Sequence, residues 1–431
     1  ITNMQINITA LGCRLNEAEL ESWAQEFQAR GHTLTNDPCS ADMLVVNTCA
    51  VTREAVRKSC QLLRRTHRNN PRARLVVSGC YASLDGKAAG DIEGVDLVVD
   101  NRHKDKLVEI ALRELATETM PSLSIPPGET PLFFLGRHRG FIKIQDGCRH
   151  QCSFCIVTVA RGEERSRSIQ EIIHDIARLS EQGIKEVVLT GVHTGGYGSD
   201  RGTSLYHLID VILNDTDIPR LRLASIEPWD LPDNFFDLYR NPRLMPHIHL
   251  PLQSGSDSVL KRMARRGTTG DFERLIDRAR SEVRDINITT DIIVGFPGET
   301  GKEWDESLEF IHNIGFSRIH IFTYSARLGT RAACLPDQVP QSIRKQRSDE
   351  LHALSRQMGL AFMNRQIGRQ FPVLWESARQ KKGGEYFTGY TPNYVRVELA
   401  APSGFNLDNQ IRMVTITGIA GTGEMMKAEL S

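Results

Sequence analysis

Six of the nine cysteines in this chain fall into two groups of three whose positions suit metal binding. The nine stand at positions 13, 39, 49, 60, 80, 148, 152, 155 and 334. An odd number of cysteines in a large chain without secretory features favours metal-binding or catalytic thiols over a disulfide framework. Cys39, Cys60 and Cys334 belong to no motif, and we interpret them as ordinary thiols of the kind that often fill small apolar spaces.

One of the two groups lies in a short loop and is called the second cysteine group below, in chain order. The stretch DGCRHQCSFC places Cys148, Cys152 and Cys155 in a CxxxCxxC spacing directly after the apolar run FIKIQ. A zinc site would need a fourth ligand, for which His150 inside the loop is a candidate. A cubane iron–sulfur cluster held by three cysteines would instead leave one iron open to a substrate or cofactor. The spacing alone leaves both possibilities open.

The other group, called the first cysteine group below, is scattered over the first eighty residues. Cys13, Cys49 and Cys80 each end a stretch that begins with an apolar, β-branched run. The carboxyl ends of all strands in a parallel sheet lie along one edge, so cysteines at three such ends can converge on one point. This pattern predicts a second metal site, and the alternative is three buried structural thiols.

Changes of pattern divide the chain into parts that would position these groups. Residues 1–120 alternate strand and helix signals, which predicts a parallel α/β domain. Residues 121–138 include four prolines and are predicted to be a linker. Residues 139–365 carry six further strand signals, which fit a doubly wound sheet or a partial (β/α) barrel. Residues 366–431 show short alternating runs typical of a small antiparallel barrel or sandwich.

The amino-acid composition limits the classes of protein to which the chain can belong. The 431 residues are 40% hydrophobic and 25% charged, as in globular proteins, with a net charge of zero. Any contact with nucleic acid must therefore depend on local basic patches. No run of about 18 apolar residues occurs and no charged segment followed by an apolar one opens the chain, so we expect no membrane span, no signal peptide and a cytoplasmic location.

The CxxxCxxC loop, with Phe154 before its last cysteine and about six βα units after it, resembles the radical S-adenosylmethionine superfamily. The resemblance implies a partial (β/α)6 barrel and a [4Fe–4S] cluster held by Cys148, Cys152 and Cys155. It also implies S-adenosyl-L-methionine, bound at the open iron and cleaved to a 5′-deoxyadenosyl radical. Cofactor contacts are then expected mainly at the carboxyl ends of strands, at Phe154, Gly191, Ser225, Glu227, Gln253, Ser254, Gly295 and Gly298.

The segments GCRLNEAE, NTCAV and SGCY, together with the small β domain at the end, resemble the methylthiotransferase family over essentially the whole chain. That resemblance implies a second [4Fe–4S] cluster on Cys13, Cys49 and Cys80, and a carboxyl-terminal TRAM domain that binds RNA. The implied reaction replaces C2–H of a modified adenosine beside the tRNA anticodon with a methylthio group. No side chain can deprotonate such a carbon at neutral pH, so the chemistry is expected to come from cofactors.

Two motifs, LGCRLNEAE and YSARLGTRA, resemble the branch that acts on N6-threonylcarbamoyladenosine in tRNA. The branches that act on isopentenyladenosine in tRNA or on an aspartate of a ribosomal protein remain alternatives. From other classes, so do a non-enzymatic RNA-binding protein with structural metal sites and an electron carrier.

Expected partners are the tRNA anticodon stem-loop and an electron donor such as a flavodoxin or ferredoxin, while the sulfur donor is not indicated. Arginine suits phosphates and carboxylates, and basic residues beside aromatic ones suit RNA. We therefore predict substrate contacts at Arg161, Arg165, Arg167, Lys381 and Lys382, with a solvated charged loop as the alternative for the three arginines.

Overall fold

The computed structural model describes residues 3–115, 138–381, 384–400, 406–421 and 423–431. Within these ranges the chain forms three β structures, each with an apolar core of its own. The predicted linker at 121–138 lies almost entirely outside the described residues, and the domain boundaries given above stay predictions. No helix in the part of the chain that the structure describes is long and apolar enough to cross a membrane.

The first structure consists of β1 (Gln5–Ala10), α1 (Arg14–Ala29), β2 (Thr33–Leu34), β3 (Met43–Thr48), α2 (Arg53–Asn69), β4 (Arg74–Gly79), α3 (Cys80–Leu84), α4 (Gly86–Gly90), β5 (Val95–Val99) and α5 (Leu107–Leu115). The strands form a parallel sheet in the order β2-β1-β3-β4-β5. All six residues of β3 are buried, because apolar cores lie on both faces of the sheet. The predicted parallel α/β fold is confirmed.

The second structure contains, in chain order, β6 (Arg139–Lys143), β7 (Gln145–Asp146), α6 (Val157–Arg161), β8 (Arg165–Ser166), α7 (Ile169–Glu181), β9 (Glu186–Thr190), α8 (Leu205–Asp215), β10 (Arg220–Leu223), β11 (His247–His249), α9 (Asp257–Arg262), α10 (Thr269–Glu282), β12 (Asn287–Val294), α11 (Gly301–Ile314), β13 (Arg318–Thr323) and α12 (Gln341–Asn364). Capping boxes start three of its helices, at Ser168, Thr268 and Thr300, each bonded reciprocally to an acidic residue three positions later.

Strands β6, β9 and β10 form one parallel sheet, and β11, β12 and β13 form another. Isolated parallel bridges, Leu221 with Leu244 and Ser225 with His249, connect the two. The six strands therefore follow one another in chain order, which is the arrangement of a partial barrel and not of a doubly wound sheet. The barrel expected from the resemblance is confirmed, and the doubly wound alternative is wrong.

The third structure consists of β14 (Gln370–Trp375), β15 (Arg379–Lys381), β16 (Gly384–Tyr390), β17 (Arg396–Ala400), β18 (Ile411–Ile419) and β19 (Met426–Leu430). Strand β14 pairs with both β18 and β16, which closes five of the strands into a small barrel. The pairings are antiparallel except for β17 with β19, which is parallel. The predicted antiparallel character is thus correct for all pairs but one.

Helix α1 packs the first structure into the open side of the partial barrel. Ala18 lies in one apolar cluster with Phe141, Val188 and Ala224, which belong to or directly follow three different barrel strands. The carboxylate of Glu21 accepts a hydrogen bond from the backbone N–H of Phe141 at 2.9 Å, on the edge strand β6. The helix that begins after Cys13 therefore fixes the first sheet against the barrel.

The carboxyl-terminal barrel docks at the amino ends of the central strands. The hydroxyl of Tyr394, in the turn between β16 and β17, accepts hydrogen bonds from Arg14 at 2.9 Å and Arg139 at 3.0 Å. Its ring lies 4.5 Å from the Arg222 guanidinium, and Asn287 Nδ2 donates to Asn393 O at 2.7 Å. The described contacts of the third structure therefore lie at the end of the barrel opposite the carboxyl-terminal ends of its strands.

Candidate metal centres and cofactor site

Cys13, Cys49 and Cys80 lie at the carboxyl ends of three neighbouring strands of the first sheet. Cys13 directly precedes α1, Cys49 follows β3, and Cys80 opens α3 immediately after β4. Burial, with smaller contributions from Cys13 and Cys80, raises the pKa of the Cys49 thiol to about 11. Because β1, β3 and β4 are neighbours in the sheet, the topology brings the three cysteines to one edge.

Two glycines permit this approach because each directly precedes a cysteine and has a positive φ angle. At Gly12, with φ of +125°, an added Cβ would lie 3.1 Å from Cys49 Sγ. At Gly79, with φ of +97°, an added Cβ would lie 2.3 Å from the carbonyl oxygen of Thr48. Only a residue without a side chain adopts these angles and leaves this space.

Side chains of the first sheet hold the backbone around this group. Ser59 Oγ donates to Cys49 O at 3.0 Å and accepts from Cys49 N at 3.1 Å. Asn16 Nδ2 donates to Leu11 O at 2.8 Å and to Thr48 O at 3.3 Å, which ties two strand ends together. Support of this kind fixes the direction of a metal ligand before the metal arrives.

A buried ion network lies beside the group. Arg161 donates to Glu19 Oε1 at 2.8 Å, to Asp146 Oδ1 at 3.1 Å and to Asn16 Oδ1 at 3.0 Å. Lys104 Nζ lies 2.5 Å from Glu19 Oε1 and 2.6 Å from Asp146 Oδ2. The four charged side chains are no more than 6% exposed. The network joins α1, which directly follows Cys13, to α6, which follows the second cysteine group.

The prediction that Arg161 contacts the substrate is therefore wrong. Its guanidinium is buried and its hydrogen bonds go to protein groups, because its partners Glu19 and Asn16 come from the first structure and are distant in sequence. Burial raises the pKa of Asp146, but Arg161 and Lys104 outweigh it and lower that pKa to about 2. Arg161 holds the two cysteine-bearing regions together.

The second cysteine group lies in the loop between β7 and α6. Cys148 N donates to Gly162 O at 3.1 Å, and His150 N lies 3.4 Å from Cys148 Sγ as a donor. Burial raises the pKa of Cys148 to about 12, with further contributions from Cys155 and Cys152. A thiol whose pKa is raised in this way is neutral near pH 7 in the free chain, so metal binding at Cys148 must displace its proton.

The donor sets bear on the choice between zinc and a cluster. A structural zinc site takes four ligands, whereas each cysteine group supplies three thiols. Among the described residues, neither cysteine trio has all its sulfur atoms within 4.8 Å of one another, although Cys148 Sγ lies within that distance of ligand atoms of Glu164 and His193. A set of three thiols fits a cubane iron–sulfur cluster with one open iron.

A polar group beside the second cysteine loop was missed in the sequence. His193 Nε2 lies 2.5 Å from Asp230 Oδ2 and 3.0 Å from His150 Nε2, and His193 Nδ1 also contacts Glu164. His150 is thus engaged by another histidine and does not complete a zinc site with the three thiols. The sequence LTGVH could have indicated this group, because His193 stands just after a strand end, two residues after Gly191, which was predicted as a cofactor contact.

Glu227, predicted to contact the cofactor, is held next to Cys152 by an arginine. Arg265 Nη2 lies 2.7 Å from Glu227 Oε2, and Arg265 Nη1 lies 4.0 Å from Cys152 Sγ. The guanidinium also lies 4.2 Å from the ring of Trp229. Arg265 is 3% exposed, whereas Glu227 is 23% exposed. A buried cation therefore adjoins a candidate cluster ligand, with a carboxylate on the accessible side.

Three other predicted cofactor residues lie near strand ends. Ser225 is exposed and follows β10, and Gln253 is half-buried with a φ of 76°, a left-handed conformation. Gly191 follows β9, and an added Cβ there would lie 3.0 Å from Gln145 Oε1. Its immediate contact is therefore with protein, while Ser225 offers its side chain to the opening.

The remaining four predicted residues contact protein. Gly295 leaves space for Arg344, whose Cγ lies 2.1 Å from the position of an added Cβ. Gly298 N donates to a backbone carbonyl at 2.8 Å. Phe154 packs against a small apolar cluster, and the buried Ser254 accepts a backbone hydrogen bond at 3.3 Å. Contact of any of these with the cofactor stays a prediction.

The basic residues predicted for RNA are dispersed. Arg165 is exposed, and Arg165 and Arg167 line a cleft of about 410 Å³ that also contains several carboxylates. Arg167 already donates to Asp175 Oδ2 at 2.8 Å. Lys381 ends β15, and Lys382 lies outside the described residues.

Two known family models match the parts of the chain that contain the cysteine groups. The family model for the Radical SAM superfamily matches residues 142–311, which contain the second cysteine group. A model described as Uncharacterized protein family UPF0004 matches residues 5–100, which contain the first. The partial barrel with its cysteine loop thus defines the class as a radical SAM enzyme.

Curated relatives narrow the class. The chain is 37% identical to the threonylcarbamoyladenosine tRNA methylthiotransferase MtaB of Thermotoga maritima over 91% of each chain. It is 35% identical to the protein of the same name from Bacillus subtilis, over 90% of this chain and 88% of the relative. It is 32% identical to the tRNA-2-methylthio-N(6)-dimethylallyladenosine synthase of Staphylococcus haemolyticus, over 92% and 79%. The chain belongs to this family of tRNA methylthiotransferases.

Solved structures agree on the fold. The radical S-adenosylmethionine methyltransferase TsrM from Kitasatospora setae, with cobalamin and a [4Fe–4S] cluster bound, matches with a TM-score of 0.57 at 15% identity. That match covers 77% of this chain and 74% of the other. At this low identity the likeness supports the architecture alone.

Proposed function

We propose that this protein is a tRNA methylthiotransferase that converts N6-threonylcarbamoyladenosine, next to the anticodon, into its 2-methylthio derivative. The observation that carries the proposal is the pair of three-cysteine groups, one at the carboxyl edge of the first sheet and one in the loop after β7, joined by one buried ion network. The substrate follows from relatives of 33% to 37% identity that bear the threonylcarbamoyladenosine name.

The chain's residues would divide the work between two sites. Cys148, Cys152 and Cys155 would hold the [4Fe–4S] cluster that binds S-adenosylmethionine, and the first cysteine group would hold a second [4Fe–4S] cluster. Together these groups supply radical C–H activation and sulfur insertion, which no side chain can provide. The protein itself fixes the segments that carry the thiols through Ser59, Asn16 and Arg161.

The carboxyl-terminal barrel is proposed to be the TRAM domain that grips RNA. Arg412 on β18 and Lys427 on β19 are exposed, and exposed cations on a small β barrel suit contact with the RNA backbone. Because this barrel docks at the amino ends of the central strands, RNA bound to it would have to extend around the barrel to reach the cysteine groups. A tRNA substrate also supports a cytoplasmic location.

An acidic electron donor, such as a flavodoxin or ferredoxin, is proposed to approach beside Cys152. A pocket of about 290 Å³ next to that cysteine is lined by Arg149, Arg266 and Arg331. All three arginines are exposed. Positive charge around the shortest route to the cluster would favour encounter with an acidic protein.

The test is product analysis with two RNAs. The anaerobically reconstituted and reduced protein is incubated with S-adenosylmethionine and an anticodon stem-loop that carries either threonylcarbamoyladenosine or isopentenyladenosine. We expect mass spectrometry to detect the methylthio nucleoside from the first RNA. Product from the isopentenyladenosine RNA alone would reject the proposed substrate, in favour of the activity named for the Staphylococcus haemolyticus relative.

A further inference from the structure

Two arginines of different structures meet beside the first cysteine group. Arg53 is the first residue of α2, four residues after Cys49, and Arg327 lies in the loop after β13. The backbone N–H of Arg53 donates to Ser325 Oγ at 3.3 Å, which joins the two segments directly. Thr330 Oγ1 donates to Arg327 O at 2.8 Å and fixes the loop that carries this arginine.

Neither guanidinium has a counter-charge. Within the described ranges no carboxylate lies within 4.0 Å of Arg53 or Arg327. The Nε atom of Arg327 is buried and has no hydrogen-bond partner in the same ranges. Burial, followed by the charge of Arg53, lowers the pKa of Arg327. Two cations held together without a carboxylate, one with an unused buried donor, form a site that an anion would satisfy.

Two buried arginines elsewhere in the described ranges have carboxylate partners. Arg222 Nε lies 2.9 Å from Glu186 Oε1, and Arg347 Nη1 lies 2.8 Å from Glu299 Oε2. The half-buried Arg327 has no such partner there, and its loop is hydrogen-bonded to Arg53, which stands four residues after Cys49. The two unpaired cations therefore lie next to the segment that carries a cysteine of the first group.

Apolar side chains adjoin the two cations. Val51, two residues after Cys49, is 45% exposed, and Leu328, next to Arg327, is 97% exposed. Apolar contacts suit the faces of a flat base, whereas guanidinium groups suit a carboxylate. An adenine with a carboxylate on its N6 substituent presents both chemistries in one ligand.

We propose that Arg53 and Arg327 bind the carboxylate of the threonylcarbamoyl group and so select this nucleoside over one with an uncharged N6 substituent. This inference rests on the proposed function and adds to it the residues that recognise the substrate. The two arginines act in binding, next to the cysteine group, and take no part in bond making.

The experiment compares two stem-loops that differ in one charge. One carries threonylcarbamoyladenosine, and the other carries the same nucleoside with its carboxylate converted to the neutral methyl ester. Loss of charge-assisted hydrogen bonds in Arg327→Met or Arg53→Met should lower kcat/KM for the carboxylate RNA roughly 10- to 100-fold. The value for the ester RNA should change less than threefold, and Arg327→Lys should recover part of the loss.

Arg57→Met is the matched control, because Arg57 lies on the same helix and is exposed but already pairs with Glu54 at 2.7 Å. Arg57→Met should change kcat/KM for neither RNA. Iron content and S-adenosylmethionine cleavage, measured in each variant, show whether the metal centres and the cofactor site are intact. If one of the two arginine variants fails to fold, the other is sufficient for the test. An equal loss with both RNAs would indicate phosphate contacts and overturn the proposal, as would no loss with either. A wild-type protein that modifies only isopentenyladenosine RNA would instead overturn the proposed function.

Discussion

The two cysteine groups reach similar chemistry by different routes. Cys148, Cys152 and Cys155 come from one loop of eight residues, so local backbone geometry largely sets their spacing. Cys13, Cys49 and Cys80 come from three strands and meet only when the sheet has formed. A loop site can persist through small shifts of its surroundings, whereas a sheet-edge site depends on the register of every strand beneath it. The first group should therefore be the more easily disrupted of the two.

The largest expected effect comes from the network that joins the two groups. Replacement of Arg161 by Met leaves Glu19 and Asp146 with less counter-charge in a buried position, which should lower the free energy of unfolding by about 3–5 kcal/mol. Urea titration of the two proteins measures the difference. Arg165→Met is the control, because Arg165 is exposed and should change stability by no more than about 0.5 kcal/mol. Similar values for the two variants would contradict the assignment of Arg161 to the interior.

Gly79→Ala should separate the two groups. The added Cβ would meet the carbonyl oxygen of Thr48 at 2.3 Å, and φ of +97° adds backbone strain. We expect a loss of about 3 kcal/mol of stability and loss of iron from the first group while the second retains its iron. Gly31→Ala shares a positive φ but has no atom within 4 Å of the added Cβ, so it should cost only about 1 kcal/mol and leave iron content unchanged. Equal behaviour of the two variants would show that the close approach is unimportant.

Docking of the third structure should be independent of both groups. Tyr394→Phe removes the hydroxyl that accepts from Arg14 and Arg139, which should cost about 1–2 kcal/mol because two half-buried donors lose a partner. Iron content should not change. Tyr206→Phe serves as the control, since the Tyr206 hydroxyl has no hydrogen bond to another described residue, and its thermal midpoint should match that of the parent. A loss of iron in Tyr394→Phe would link the carboxyl-terminal barrel to the cysteine groups after all.

The smallest effect is a change in pH dependence. The ion network holds the pKa of Asp146 at about 2 and that of Glu19 well below its ordinary range. A depressed carboxyl pKa contributes stability that is complete above the unfolded pKa near 4 and is lost as the pH falls toward 2. In Arg161→Met the depression is smaller, so the thermal midpoint should fall less steeply between about pH 5 and 3. Parallel curves for the variant and the parent would contradict this account.

The contrast between a local loop and a site built from distant segments also explains which features could be predicted from the sequence. The CxxxCxxC loop was visible because its chemistry is local, and the first group was found because parallel strands share an edge. Arg161 was misassigned because its partner Glu19 lies 142 residues away. His193 was overlooked because Glu164, Asp230 and His150 come together only in three dimensions. A small antiparallel barrel or sandwich was predicted at the carboxyl end from the alternating runs. Those runs do not indicate that β17 pairs in parallel with β19.

The most direct measurement is iron and acid-labile sulfide in the anaerobically reconstituted protein and its cysteine variants. Two cubane clusters predict about eight irons per chain in the parent and about four in either Cys80→Ala or Cys152→Ala. Cys334→Ala, which changes an exposed cysteine outside both groups, should keep about eight. Stoichiometric zinc without iron, or an iron content that neither Cys80→Ala nor Cys152→Ala changes, would contradict the two-site account.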